Sequence, residues 1–172
     1  MKKERLCKNI NINVNGYDNP DAIDKTIGYI YRTNDKSPLP IYCYGCIEWP
    51  PTYDRLIKEY HLVRETSQTN TSDQQLMHFI ISFNIPVQNV TEIHFHFADD
   101  IAKLFCNEYQ ICYSYHTDNV HPHFHYVVST TSYIDGKPFL SNDRMSCYES
   151  QICSLANTYG FMFLLERVVE NV

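Results

Sequence analysis

Missing from this chain is any apolar run long enough to cross a bilayer. Its longest apolar stretches are strand-sized and broken by charge, and the N-terminal MKKERLCKNININVNG has no apolar block of the kind that opens a secretory signal. Membrane insertion and export are therefore not expected, and the cytoplasm is the expected compartment. Positive charge is scarce as well: 14 Lys and Arg stand against 20 Asp and Glu, a formal net charge of -6. A surface of that sign does not gather polyanions, so any nucleic acid would have to be held by a local patch or a metal ion. A disulfide framework is also lacking. The 7 cysteines are odd in number and scattered through strand and helix patterns, which suits reduced thiols. The lone CxxC, Cys43 to Cys46, has no second pair to complete a four-ligand zinc site and reads as buried thiols near a turn. No internal repeat is visible.

What is present is a core. At 172 residues, 44% of them apolar and 14% aromatic, the chain suits a single domain over residues 1–172. Residues 7–15 alternate as a half-buried strand, and Pro20 with Asp21 opens a helix to about Arg32 with Ile23, Ile27 and Ile30 on one stripe. PPTYDRLIKEYHLVRETS, residues 50–67, reads as a second helix, and SQTNTSDQQ as a polar loop. LMHFIISF, residues 76–83, is a strand whose Met77, Phe79, Ile81 and Phe83 should face a helix layer. A helix capped by Thr91 follows to Tyr109, then two strands, QICYSYH and FHYVVSTT, around the stretch HTDNVHPHFH. Asp135-Gly136 marks a tight turn, residues 141–160 a last helix closed by Gly160, and residues 161–170 a final strand. The order βααβαββαβ is that of an α+β fold, a central antiparallel sheet with flanking helices.

The stretch HTDNVHPHFH, residues 116–125, concentrates four histidines in ten positions. Side chains two apart on a strand share a face, so His123 and His125 project together while Phe124 goes to the core. The turn DNVHP brings His116, at the end of the preceding strand, beside them. Three imidazoles with coordination positions left open make a catalytic rather than a structural site. The other His-x-His, His94 and His96, falls in a helix, where the two rings point about 200° apart and cannot serve one ion. His61 reads as an ordinary helix histidine.

The pattern His116-x-Asp118-x-x-x-Pro122-His123-x-His125, followed by the apolar YVVST, resembles the histidine motif of the mobilization relaxases, members of the HUH endonuclease superfamily. LMHFIISFNIP is similar to that family's strand with His and Ser-Phe, and GYIYRTNDK to its N-terminal tyrosine motif. The resemblance implies a relaxase-like nuclease that nicks single-stranded DNA at a plasmid or conjugative-element transfer origin. It implies His116, His123 and His125 as ligands of a divalent metal, Mn or Mg, and a tyrosine that attacks to give a 5′-phosphotyrosine and a free 3′-hydroxyl. The motif offers Tyr29 and Tyr31. At 100° per residue Tyr31 falls beside the apolar stripe and should be buried, whereas Tyr29 is free to reach a substrate.

Asp118 can orient a ligand imidazole or cap the turn. His121 is spaced wrongly for the three-ligand set and is expected beside the site or DNA. His78 and Ser82 share a strand face that the resemblance places close to the active site, within reach of a phosphate. Lys25, Arg32 and Lys36 form a thin basic patch on or after the tyrosine helix, so DNA binding is expected to be weak or assisted by an accessory DNA-binding protein. Two other readings stay open. Residues 121–128, HPHFHYVV, also fit the histidine-triad nucleotide hydrolases, with His123 as nucleophile, although Pro122 confines His121 to a turn. The third reading is a relaxase-like module that binds DNA or a partner without cutting.

Overall fold

A computed structural model of the protein describes residues 9–47, 51–68, 73–139 and 142–164. The elements run β1 (Asn9–Tyr17), α1 (Ala22–Tyr31), β2 (Tyr42–Tyr44), α2 (Tyr53–Thr66), β3 (Leu76–Phe83), α3 (Glu92–Phe105), β4 (Tyr109–His116), β5 (His123–Ser132), α4 (Asn142–Thr158) and β6 (Met162–Leu164). The strands form one six-stranded sheet in the order β2-β4-β5-β3-β1-β6. Every neighbouring pair is antiparallel except β1 with β6. Strand β6 therefore runs in the same direction as β5, and α4 is the crossover that such a connection needs.

Strand β3 shows how the alternating sequence makes two unlike layers. Met77, Phe79, Ile81 and Phe83 enter a core with Phe97, Ala98, Ile101 and Phe105 of α3 and Ile152 and Ala156 of α4. Phe79 stacks on Tyr126 with ring centroids 4.6 Å apart. On the opposite face Leu76, Val127 and Cys112 meet Ile23, Ile27 and Ile30 of α1 and Leu56 and Tyr60 of α2. The isoleucine stripe thus docks α1 on the sheet as its spacing predicts. Tyr31 is fully buried, and its hydroxyl donates to the carbonyls of Tyr42 and Tyr113 at 3.0 and 3.1 Å.

Several boundaries differ from the sequence reading. Residues 42–44, for which the sequence suggests no strand, form a short edge strand on β4, and the chain leaves it through a turn at Gly45, φ 73°, between Cys43 and Cys46. Cys43 and Cys46 are half-buried there, and all six cysteines among the described residues are free. Helix α3 stops at Phe105 rather than Tyr109, because Tyr109 is buried against Phe139 and already belongs to β4. Strand β1 continues to Tyr17 through the expected turn, held by pairing Gly16 and Tyr17 with Met77 and Leu76. Cys7 and Lys8, residues 69–72 of the polar loop, Ser141, and the final strand beyond Leu164 lie outside the described residues. Among the described residues no helix is long and apolar enough to cross a membrane.

Candidate active site

The sheet face covered by α1 and α2 changes character along its length. Past Leu76, Cys112 and Val127, the next positions on that face are His78 on β3, Ser114 and His116 on β4, and His125 and His123 on β5. Register does the assembling: His116 lies opposite His123, Ser114 opposite His125, and Ser82 opposite His123. His116, His123 and His125 are all buried, and each offers a ligand nitrogen within 4.8 Å of the others.

Each ring has one nitrogen tied to the protein. His116 Nε2 donates to the Ile30 carbonyl at 2.6 Å, a helix-end oxygen that α1 itself cannot satisfy. His123 Nδ1 donates to the His121 carbonyl at 3.0 Å. His125 Nδ1 lies 2.9 Å from His78 Nε2. The nitrogens left over include His116 Nδ1 and His125 Nε2, both buried and without a partner among the described residues. A buried polar atom left unpaired costs about 1–3 kcal/mol, and a cation bound between the rings would relieve it. Burial, and after it the neighbouring His116 ring, lowers His125 to about 2 and His78 to about 4. Burial also lowers His116, against the Ile30 carbonyl, which raises it. Neutral imidazole is the ligating form, so the donor set suits a divalent ion.

Tyr29 is 58% exposed. Its ring meets His125 edge-on at 5.4 Å and lies 6.1 Å from His116. The bond from His116 to Ile30 joins the histidine cluster to the residue after this tyrosine, so the helix that carries Tyr29 is fixed by the cluster it faces. An open cavity of about 690 Å³ adjoins Tyr29 and His116, with Lys25, Arg32, Asp35 and Asp118 among its lining.

Arg32 closes α1 in the left-handed conformation at φ 54°, where glycine is usual. Its guanidinium reaches Asp118 at 2.7 Å, and the other Asp118 oxygen is 3.7 Å from His123 Nε2. Asp118 therefore faces one ring of the cluster while paired to the helix end. Sequence reasoning had placed Arg32 only in a thin basic patch; its link to Asp118 depends on a contact between distant segments. His121 is exposed in the turn and outside the three-ring cluster. Ser82 is half-buried beside His123, and Lys36 is exposed and not part of the cavity lining. His94 is buried, with its Nδ1 accepting the Thr91 N–H at 3.1 Å, while His96 is exposed. His61 pairs with Asp24 at 2.7 Å and links α2 to α1.

The family model described as "Relaxase: MobA/VirD2-like, nuclease domain" matches residues 29–159 of this chain. The chain belongs to the MobA/VirD2-like relaxase family. The matched span begins at Tyr29 and contains all three clustered histidines. A solved structure described under the words "Molecular Basis of Vancomycin Resistance Transfer in Staphylococcus aureus" shares the fold of this relaxase domain. It is 11% identical, with a TM-score of 0.62, and the match covers 94% of this chain and 98% of that one. No curated protein matches the chain in sequence.

Proposed function

We propose that this relaxase domain, residues 1–172 acting as one unit, is a metal-dependent endonuclease that nicks one strand of DNA at a transfer origin and rejoins it. The observation that carries the reading is an exposed tyrosine set over buried, partnerless imidazole nitrogens. His116, His123 and His125 hold a divalent ion, Mn or Mg, which when bound neutralises charge developing on the phosphoryl oxygens and lets a phenol act near neutral pH. Tyr29 supplies the nucleophilic oxygen. Its bond to phosphorus forms as the bond from phosphorus to the 3′ oxygen breaks; the phenol proton passes to solvent and the 3′ oxygen takes one up. The products are a 5′-phosphotyrosine at Tyr29 and a free 3′-hydroxyl, whose return attack rejoins the strand.

The His121 carbonyl orients His123 through Nδ1. Asp118 is held by Arg32 with its carboxylate toward the bare Nε2 and so adds negative charge beside the ion. Ser82, opposite His123 on the sheet, contacts the phosphate. The cavity is poor in uncommitted positive charge: Lys25 is paired to Asp21 at 2.5 Å and Arg32 to Asp118 at 2.7 Å. DNA affinity therefore rests on the metal and on an accessory DNA-binding protein, because phosphate neutralisation supplies much of such affinity. His121 stays outside the cluster, which disfavours a histidine-triad hydrolase.

The test is capture of covalent protein–DNA complexes from a pool of random single strands in the presence of Mn. Native protein is expected to yield adducts that disappear on chelation and in Tyr29→Phe, while Mn binding by the variant stays unchanged. An adduct of undiminished yield in Tyr29→Phe would remove Tyr29 as nucleophile.

A further inference from the structure

Two of the three clustered histidines have their proton position dictated by the backbone. A carbonyl can only accept, so the Ile30 oxygen requires a proton on His116 Nε2, and the His121 oxygen requires one on His123 Nδ1. The unshared pairs then lie on His116 Nδ1, which is buried with no partner among the described residues, and on His123 Nε2, which faces Asp118 at 3.7 Å. His125 differs. Its Nδ1 meets another imidazole, His78 Nε2, at 2.9 Å, and an imidazole can donate or accept.

We propose that His78 is a positioning residue that fixes the tautomer of His125: its Nε2 accepts the proton of His125 Nδ1, which leaves His125 Nε2 bare and aimed at the metal. This rests on the metal reading of the three histidines. In the opposite arrangement His78 would donate to His125 Nδ1 and put the proton on His125 Nε2, taking that ring's unshared pair out of the cluster. Each arrangement leaves one buried ring N–H without a partner among the described residues, so the need for a bare Nε2 in the cluster sets the direction of the bond. The rings are held for the bond by the sheet. His78 lies on β3 opposite Val127, two residues along β5 from His125, and the imidazoles stack 15° from parallel with centroids 5.1 Å apart. Tyr17 also packs against His78, with centroids 6.1 Å apart. His78 is only 5% exposed, so water does not compete freely for the bond. Its own proton then sits on Nδ1, a buried donor with no partner among the described residues. An outer-shell group that orients a ligand histidine is usually a carboxylate or a carbonyl, and here a second imidazole takes that place.

The tautomers are read by long-range proton–nitrogen NMR on protein with nitrogen-15-labelled histidine at pH 7 with no metal, and the Mn dissociation constant is measured on the same samples. Native His125 is expected to carry its proton on Nδ1. In His78→Phe, which keeps the volume and removes the acceptor, the proton is expected to move to Nε2 and Mn binding to weaken by about 10- to 100-fold. His78→Gln, whose carbonyl can accept, is expected to restore both. A proton on Nε2 of His125 in the native protein would overturn the proposal, as would a His78→Phe protein whose tautomer and Mn affinity are both unchanged. Failure of the native protein to bind Mn would refute the metal reading instead, since the tautomer is decided with no metal present.

Discussion

Two segments of this chain spell His-x-His, and they do opposite things. His94 and His96 sit on α3, where the helical rotation buries one ring among Phe83 and Phe161 and leaves the other in solvent. His123 and His125 sit on β5, where the two-residue period places both on one buried face, and β4 adds His116 from the strand alongside. The same three-letter pattern is thus a helix cap in one place and part of a buried imidazole cluster in the other. Backbone geometry decides which. His94 finds its partner locally at Thr91, whereas His116 and His125 each have a buried nitrogen without a partner among the described residues.

Breaking the pairs one residue at a time sharpens this contrast. The largest effect is expected from His123→Ala or His125→Ala, each weakening Mn binding by at least about 100-fold in calorimetry, with His121→Ala changing it by less than about 3-fold. Equal losses at all three would return the histidine-triad arrangement to favour. Next comes His94→Ala, which removes a buried ring and the partner of the Thr91 N–H. It is expected to cost about 1–3 kcal/mol of stability in denaturant titration while leaving Mn affinity unchanged. A loss of Mn binding in a folded His94→Ala protein would contradict the division of roles.

A smaller effect separates the pairs by pH. In the metal-free protein burial holds His78 at about 4 and His125 at about 2, below the 6.5 of an unperturbed ring. The unfolded chain therefore takes up protons between pH 6.5 and these values while the folded chain does not. Stability from these groups is complete above pH 6.5 and declines as pH falls toward 4. Thermal melting with a chelator present should show this decline, and His78→Phe should flatten it; an equally steep decline in that variant would place its origin elsewhere. The smallest effect belongs to His96→Ala, expected within about 0.5 kcal/mol of native stability and with native Mn affinity.

Much of this was legible before any coordinates. The two faces of residues 76–83 and the shared face of His123 and His125 announced a sheet with two unlike sides, and the angular offset between Tyr29 and the Ile23, Ile27, Ile30 stripe separated the exposed tyrosine from the buried one. What stayed hidden depended on register between distant segments. Nothing in the local sequence says that the end of α1 lands on His116, that Arg32 reaches across to Asp118, or that His78 stacks on His125. Strand β2 was missed because three residues carry too little periodicity, and its pairing with β4 is a tertiary fact. The last turn of the expected α3 was lost for the opposite reason: an amphipathic pattern continued past Phe105, but Tyr109 gains more by entering the sheet core.

The most direct test of the central claim is anomalous diffraction from crystals soaked in Mn. The account predicts one peak bounded by His116, His123 and His125, with the Tyr29 side chain over its open side. A fully soaked crystal with no peak among those three rings, or with the ion held by His121 in place of His116, would contradict it.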